Sequence, residues 1–207
     1  GAGARVPTVP RRSARRMRFV RRGRQVIVAF CDIDKVLNDE AFVFAAHEDG
    51  VPFPVLSDMA SGLDPVRCER LQRVLAATGA VIVIVSHWRR YDAPEAIAAE
   101  FSARGLTAPV VGAVGGTEGA RDLRAEATRV WLAEHPGVTA WCVIDDEAYR
   151  WLRASTVERT ELRDGKRTYA SETVYAMPEW LEGHAVFVRD GLDEDDAAKV
   201  AAILGGA

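Results

Sequence analysis

The amino-acid sequence predicts an α/β fold built on a doubly wound parallel sheet. Apolar runs of strand length alternate along the chain with segments that have the start and stop signals of helices. The first run, residues 26–31, is unbroken and rich in β-branched and aromatic types, as in a strand buried on both faces. A chain of 207 residues is long enough for one well-packed domain and short for two, so we expect residues 25–207 to form a single domain.

Each element is predicted from its own local pattern. Apolar runs predict strands over residues 26–31, 81–85, 109–114, 139–144 and 185–188. Helices are predicted over residues 64–79, 94–104, 120–135 and 193–204. In the first helix, Asp64 is a typical N-cap, Pro65 suits the first turn and Gly79 is a typical end. Right-handed crossovers between such strands make the sheet parallel.

Two segments depart from this alternation. Residues 156–177 alternate with period two on both sides of Asp164-Gly165, which predicts a β-hairpin inserted before the last strand. Residues 38–62 contain two closely spaced prolines and are predicted to form a loop or short flap.

The charge is uneven along the chain. Residues 1–31 hold nine arginines and no acidic residue, so the remainder of this chain of net charge -3 is acidic. Residues 1–24 are predicted to be disordered, at least as far as Met17. This basic tail has three possible origins: added or upstream sequence with Met17 near a natural start, which we favour, a nucleic-acid-binding arm, or a targeting peptide.

The composition argues against several classes of protein. No apolar run reaches the length of a membrane span. The three cysteines lack the spacing of a metal site and indicate small buried residues in a reducing compartment, so we expect a cytoplasmic protein. The four histidines also lack the spacing of zinc ligands.

Polar side chains follow three of the predicted strands where each strand ends. Asp32 and Asp34 follow the first strand, Ser86 the second, and Asp145 and Asp146 the fourth. In a parallel sheet these ends converge on one edge, where ligands bind. Four carboxylates without clustered cysteine or histidine suit a hard cation such as Mg²⁺, although an acid/base pair or ordinary turn aspartates would also explain the first two.

A basic helix lies between the second and third of these strand ends. It carries Arg121, Arg124 and Arg129. An arginine and a hydroxyl beside a metal suit the oxygens of a phosphate, and a carboxylate there can attack phosphorus to form an aspartyl-phosphate. A solvated helix face explains each arginine equally well.

The order of these motifs resembles the haloacid dehalogenase-like (HAD) superfamily of phosphotransferases, from about residue 26 to residue 204. The motif DxDx(V/T) matches residues 32–36, the strand ending in Ser or Thr matches Ser86, and the apolar strand ending in DD matches residues 145–146. The resemblance implies a Rossmann-like fold and a Mg²⁺-dependent hydrolase acting on a phosphorylated substrate.

The resemblance also implies roles for these residues. Asp32 would be the nucleophile and Asp34 the general acid/base, and the Asp32 carboxylate and the Asp34 main-chain carbonyl would bind Mg²⁺. Ser86 would hydrogen-bond the phosphoryl group. Asp146 would bind the metal directly, with Asp145 in its outer shell or alongside it.

Two departures from the family pattern stand out. Lys35 occupies a position that is usually glycine, which puts the usual backbone geometry in doubt and adds a cation near the substrate. The third motif is usually lysine, but no lysine lies between Lys35 and Lys166. Arg124 fits that position best by its spacing to the following Trp-Leu pair, and Arg121 is the second choice, although arginine is not geometrically equivalent to lysine.

A narrower resemblance is to the HAD-type domains associated with RNA repair proteins. It rests on the motifs DIDxVLN, SxWR, an Arg-bearing helix with WL, VIDD and GL, at residues 32–38, 86–89, 124–132, 143–146 and 191–192. It implies a nucleotide or a nucleic-acid end as substrate, with His87, Trp88 and Arg89 near it. Trp88 would stack on a base or pack over a helix, and His87 would contact substrate or cap a turn.

These observations predict a phosphomonoesterase. The alternatives are a phosphatase of a small metabolite, or a phosphate-binding module that has lost turnover because of Lys35 and the missing lysine. A receiver domain is a further alternative, but it requires a lysine after a late strand, where this chain has Arg189. The oligomeric state is not predicted.

Overall fold

The computed structural model describes residues 25–38, 42, 62–114, 124–163 and 166–205. The basic tail over residues 1–24, most of the predicted flap over residues 38–62, Arg121 and the Asp164-Gly165 turn lie outside the described residues. The predictions for these parts therefore remain predictions.

Seven strands and four α-helices are present in the described part of the chain. The strands are β1 (Val26–Cys31), β2 (Val81–Ile84), β3 (Val110–Ala113), β4 (Val138–Asp145), β5 (Arg153–Arg163), β6 (Lys166–Ala176) and β7 (Ala185–Phe187). The helices are α1 (Pro65–Thr78), α2 (Pro94–Ala103), α3 (Arg124–Glu134) and α4 (Glu194–Gly205).

Five of the strands form one parallel sheet in the order β3-β2-β1-β4-β7. The predicted α/β, Rossmann-like fold is therefore confirmed. The strands and helices lie close to their predicted positions, with one change that matters for the site. Strand β4 continues beyond the predicted end at residue 144 to Asp145, so that this carboxylate is fixed by the sheet itself.

The predicted hairpin forms a separate two-stranded sheet. Strands β5 and β6 pair antiparallel from Arg153 opposite Ala176 to Arg163 opposite Lys166. The hairpin therefore starts earlier than the predicted residue 156, and it is inserted between β4 and β7.

Strand β1 is the centre of the sheet, and its alternating side chains divide the core into two layers. Ala29 and Cys31 pack in one layer with residues of α1, α2 and α4. Val28 and Phe30 pack in the other layer, which residues of α3 cover together with Trp151. Helices on both faces bury residues 28–31 of the central strand, which explains its unbroken apolar sequence.

Helix α1 has the predicted caps. Asp64 accepts a hydrogen bond from the Val66 N–H at the start of α1, and Gly79 ends that helix with a φ of 71°. A left-handed conformation of this kind favours glycine. None of the described helices combines the length and apolar character needed to cross a membrane.

Candidate active site

An acidic cluster lies at the carboxyl edge of the sheet. Asp32 follows β1, Asp145 ends β4, and Asp146 and Glu147 come directly after it. Each offers a carboxylate oxygen, and these oxygens all lie within 4.8 Å of one another. Asp34 is not in this group, in which Glu147 supplies the fourth carboxylate, and the metal-binding role expected of Asp34, through its main-chain carbonyl, stays a prediction.

Arg124, the first described residue of α3, lies between two members of the acidic cluster. Its Nη1 donates to Asp32 Oδ2 at 2.7 Å and to Asp145 Oδ2. Its Nη2 lies 3.5 Å from Glu147 Oε2 and donates to His87 Nδ1 at 3.2 Å. The side chain is only 1% exposed. Arg124, which the spacing in the sequence favoured, therefore reaches the site.

The two buried aspartates are also held by neutral donors. The Ile33 N–H donates to Asp32 Oδ1 at 2.9 Å. Asp145 accepts from the Trp151 indole N–H at 2.8 Å and from the Glu147 N–H at 2.8 Å. Because each carboxylate has several fixed donors, its orientation is set before any ligand binds.

Burial and mutual repulsion raise the pKa values of two carboxyl groups in the acidic cluster. Desolvation, followed by the charge of Asp32, raises the pKa of Asp145 to about 7. Desolvation and the charges of Asp32 and Glu147 raise the pKa of Asp146 to about 6. Burial disfavours the charged form of Arg124, but Asp32 and Asp145 outweigh it and raise its pKa. Carboxylates that resist ionisation in this way are a favourable setting for a cation, because it offsets their repulsion.

The donor set fits the predicted metal. All four groups are carboxylates, and oxygen ligands of this kind suit Mg²⁺ rather than a thiophilic metal. Asp32, Asp145, Asp146 and Glu147 are therefore the residues that can hold it.

Asp34 lies apart from the acidic cluster and has its own partners. Its Oδ1 accepts from the Trp88 indole N–H at 3.0 Å and from Asn38 Nδ2 at 3.4 Å. Desolvation raises the pKa of Asp34, and these two hydrogen bonds partly oppose that change. Asp34 is thus a carboxyl group with a raised pKa close to Asp32, which is the property expected of a proton donor.

Lys35 has a left-handed backbone conformation, which favours glycine. Its φ is 57°, and Asn38 Oδ1 accepts its N–H at 2.7 Å. The turn therefore forms with lysine at this position, although a residue with a Cβ has a cost of about 1–2 kcal/mol in this conformation.

The structure places Ser86 and Trp88 together at the end of β2. Ser86 is fully buried, and its Oγ accepts the Trp88 N–H at 3.4 Å. Trp88 is 4% exposed. Of the two alternatives for Trp88, the structure favours packing over base stacking, because the ring is buried and its indole N–H is used by Asp34.

His87 and Arg89 belong to the same short helical turn, His87–Arg90. Because Arg124 donates to His87 Nδ1, this nitrogen acts as an acceptor and His87 carries its proton on Nε2. Arg89 Nη1 donates to the main-chain oxygens of Val85, at 2.7 Å, and of Ser86. His87 thus contacts the site through Arg124, while one arm of Arg89 holds the backbone.

Three residues at the site were not among those predicted from the sequence. Glu147 directly follows the DD pair, so the run of three acidic residues was an available signal. Asn38 ends the DIDxVLN motif, but nothing in the motif shows that it contacts Asp34. Trp151 follows β4 by several residues and carries no local signal, because its contact with Asp145 depends on the tertiary fold.

The family described as "HAD domain in Swiss Army Knife RNA repair proteins" matches residues 28–165. This range includes the acidic cluster, Asp34, Ser86 and Arg124. No curated protein and no solved structure matches the chain significantly. HAD domains support phosphatase-type chemistry in general, and the acidic cluster agrees with their use of a divalent metal. The match covers more than half of the chain, which therefore belongs to the family of HAD domains in Swiss Army Knife RNA repair proteins.

Proposed function

We propose that this protein is a Mg²⁺-dependent phosphomonoesterase that acts through an aspartyl-phosphate on Asp32, with a nucleotide or a nucleic-acid end as its substrate. One observation carries the proposal. Asp32 is buried at the end of the central strand, and the Ile33 N–H and Arg124 fix both of its oxygens beside three further carboxylates. This arrangement is that of an oriented nucleophile.

The reaction uses Asp32 and Asp34 in two steps. In the first, an oxygen of Asp32 attacks phosphorus, the bond from phosphorus to the leaving oxygen breaks, and Asp34 donates a proton to that oxygen. In the second, Asp34 takes a proton from water, whose oxygen attacks phosphorus and releases inorganic phosphate and the Asp32 carboxylate.

Arg124 and Ser86 assist by electrostatics. The Arg124 guanidinium holds Asp32 and balances part of its charge, and it can also donate to phosphoryl oxygens. Ser86, at the end of β2, would hydrogen-bond the phosphoryl group. A bound Mg²⁺, held by Asp32, Asp145, Asp146 or Glu147 and by the Asp34 carbonyl, would supply charge neutralisation for the substrate oxygens.

The case for a module without turnover is weakened at both of its points. Lys35 has a left-handed backbone conformation, so the turn forms with lysine at this position. Arg124 contacts Asp32, which supports it as the arginine that serves in place of the third-motif lysine. A functioning enzyme is therefore the better proposal.

The substrate proposal rests on the family, whose description refers to RNA repair proteins. A nucleic-acid substrate would give phosphate contacts beyond the scissile one, and its affinity would fall steeply with salt. A small phosphorylated metabolite would show no such dependence.

The test is Mg²⁺-dependent phosphate release from a panel of mononucleotides, phosphorylated oligonucleotide ends and small metabolites, at low and high salt. We expect oligonucleotide ends or nucleotides to give the highest kcat/KM, and EDTA to abolish the activity. Equal activity with EDTA would contradict the metal, and a preference for metabolites would contradict the substrate class.

A further inference from the structure

We propose that Trp88 and Asn38 are positioning residues that orient Asp34, so that its Oδ2 is the oxygen that delivers the proton to the leaving group. The inference rests on the proposed function, because it assigns how the acid of that reaction is presented. It concerns two side chains that make no contact with the acidic cluster among the described residues.

Trp88 is a rigid donor. Its indole Nε1 donates to Asp34 Oδ1 at 3.0 Å, and the ring is 4% exposed within the core layer that contains Leu37 and Leu63. The main-chain N–H of Trp88 donates to Ser86 Oγ at 3.4 Å. A ring packed in this way has little rotamer freedom, so the direction of its N–H is fixed.

Asn38 is a second donor to the same oxygen. Its Nδ2 donates to Asp34 Oδ1 at 3.4 Å, while its Oδ1 accepts the Lys35 N–H at 2.7 Å. The side chain is 8% exposed. The amide therefore links the conformation of the Lys35 turn to the orientation of the Asp34 carboxyl group.

The two contacts distinguish the oxygens of Asp34. An oxygen that accepts two N–H groups is a poor place for a proton, because protonation would remove lone-pair capacity that both donors use. No described residue donates to Oδ2. The proton of the acid form therefore resides on Oδ2, and this oxygen transfers it.

The experiment compares Trp88→Phe with Trp151→Phe in the full chain with Mg²⁺. Each variant removes one buried indole N–H from an aspartate of the site, Asp34 in the first case and Asp145 in the second. The measured quantity is kcat/KM for 4-nitrophenyl phosphate and for an alkyl phosphate, because this constant reports the steps up to departure of the leaving group. Asp34→Asn provides the reference for complete loss of the acid.

We expect Asp34→Asn to lower kcat/KM for the alkyl phosphate by about 10²–10⁴-fold, and to affect 4-nitrophenyl phosphate much less, since a good leaving group needs little protonation. Trp88→Phe should show the same selectivity with a smaller loss of at most about 10-fold for the alkyl phosphate, the effect of one hydrogen bond. Trp151→Phe should lower kcat/KM for both substrates by the same factor.

Equal losses on both substrates in Trp88→Phe, or no loss, would overturn the inference while leaving the proposed function intact. A wild-type protein that releases no phosphate from either compound or from the panel would overturn both. Should Trp88→Phe fail to fold, Asn38→Asp carries the same test, because it keeps an acceptor for the Lys35 N–H and removes the donor to Asp34. It should then lose alkyl phosphate activity selectively.

Discussion

The ends of β1 and β4 each present two aspartates, yet their surroundings differ. The first aspartate at each end, Asp32 after β1 and Asp145 in β4, is called the inner one. Both inner aspartates are buried, and both accept a hydrogen bond from Arg124. A tryptophan N–H is also present at both ends, but it binds the outer aspartate, Asp34, after β1 and the inner one, Asp145, after β4.

This difference separates two tasks. After β1, the Trp88 indole binds Asp34 rather than Asp32, and it orients this second carboxyl group beside the proposed nucleophile. This arrangement suits covalent and proton-transfer chemistry. After β4, the indole and Arg124 both stabilise Asp145, while Arg150 and Tyr149 donate to Glu147. We therefore interpret the β1 end as the reactive end and the β4 end as the metal-binding end.

The largest expected effect comes from substitutions that distinguish the two strand ends. Asp32→Asn should lower kcat by more than about 10⁴-fold at any Mg²⁺ concentration, because it removes the nucleophile. Asp146→Asn should raise the Mg²⁺ concentration required and recover part of the activity when Mg²⁺ is increased. Steady-state assays over a Mg²⁺ series, with circular dichroism as the folding control, measure this. Full activity in Asp32→Asn would contradict the assignment.

The next effect concerns the arginine that the two ends share. Arg124→Met should destabilise the metal-free protein by about 3–5 kcal/mol, because it leaves buried carboxylates without their partner. Arg129→Met is the matched control on the same helix: its pair with Glu126 is exposed, so its loss should have little effect on stability. Urea unfolding compares them. Equal small losses would show that Arg124 does not balance the acidic cluster.

A pH dependence should sharpen the description of the β4 end. The pKa of Asp145 is raised from 3.8 to about 7, and that of Asp146 from 3.8 to about 6. The folded protein therefore retains protons that the unfolded chain has already released, and without metal its stability should fall as pH rises from about 5 to about 7.

Mg²⁺ should flatten this dependence, because it binds the deprotonated carboxylates. Thermal unfolding in EDTA and in Mg²⁺ measures both curves, and Asp145→Asn should flatten the metal-free curve. Stability that rises over this range without metal would contradict the raised pKa values.

The smallest effect belongs to the turn after β1. Lys35 is the one non-glycine residue with positive φ in the described part of the chain. Lys35→Gly should stabilise the protein by up to about 1 kcal/mol, the relief of the left-handed conformation less the entropy that glycine loses. Gly79→Ala is the reciprocal control. Its φ is 71° and an added Cβ meets nothing within 4 Å, so it should cost about 1 kcal/mol through the backbone alone. Destabilisation by Lys35→Gly would show that the Lys35 side chain makes a stabilising contact.

The fold was largely predictable because its signals are local. The unbroken run of β1, the Asp64 and Gly79 caps of α1 and the period-two pattern of the hairpin each depend on neighbouring residues, and all were confirmed. The predicted parallel sheet implied that the carboxyl ends of its strands meet at one edge, and Asp32, Asp145 and Asp146 lie together there.

The partners of these aspartates could not be predicted in the same way. Trp88 was expected either to stack on a base or to pack over a helix, and its burial depends on the core layer that it joins in the tertiary fold. Trp151 contacts Asp145 only because the chain turns back after β4. The acidic run of residues 145–147 was an available signal for Glu147, but its place in the acidic cluster depends on the turn after β4.

The most direct test of the account is to look for the phosphoryl group on Asp32. The full-length enzyme is mixed with a turned-over substrate and Mg²⁺, quenched in acid within the first turnover, digested and analysed by mass spectrometry. We predict one phosphorylated peptide, containing Asp32, that is absent in EDTA and in Asp32→Asn. Phosphate release without this peptide, or with the phosphoryl group on another residue, would contradict the assignment of Asp32 as the nucleophile.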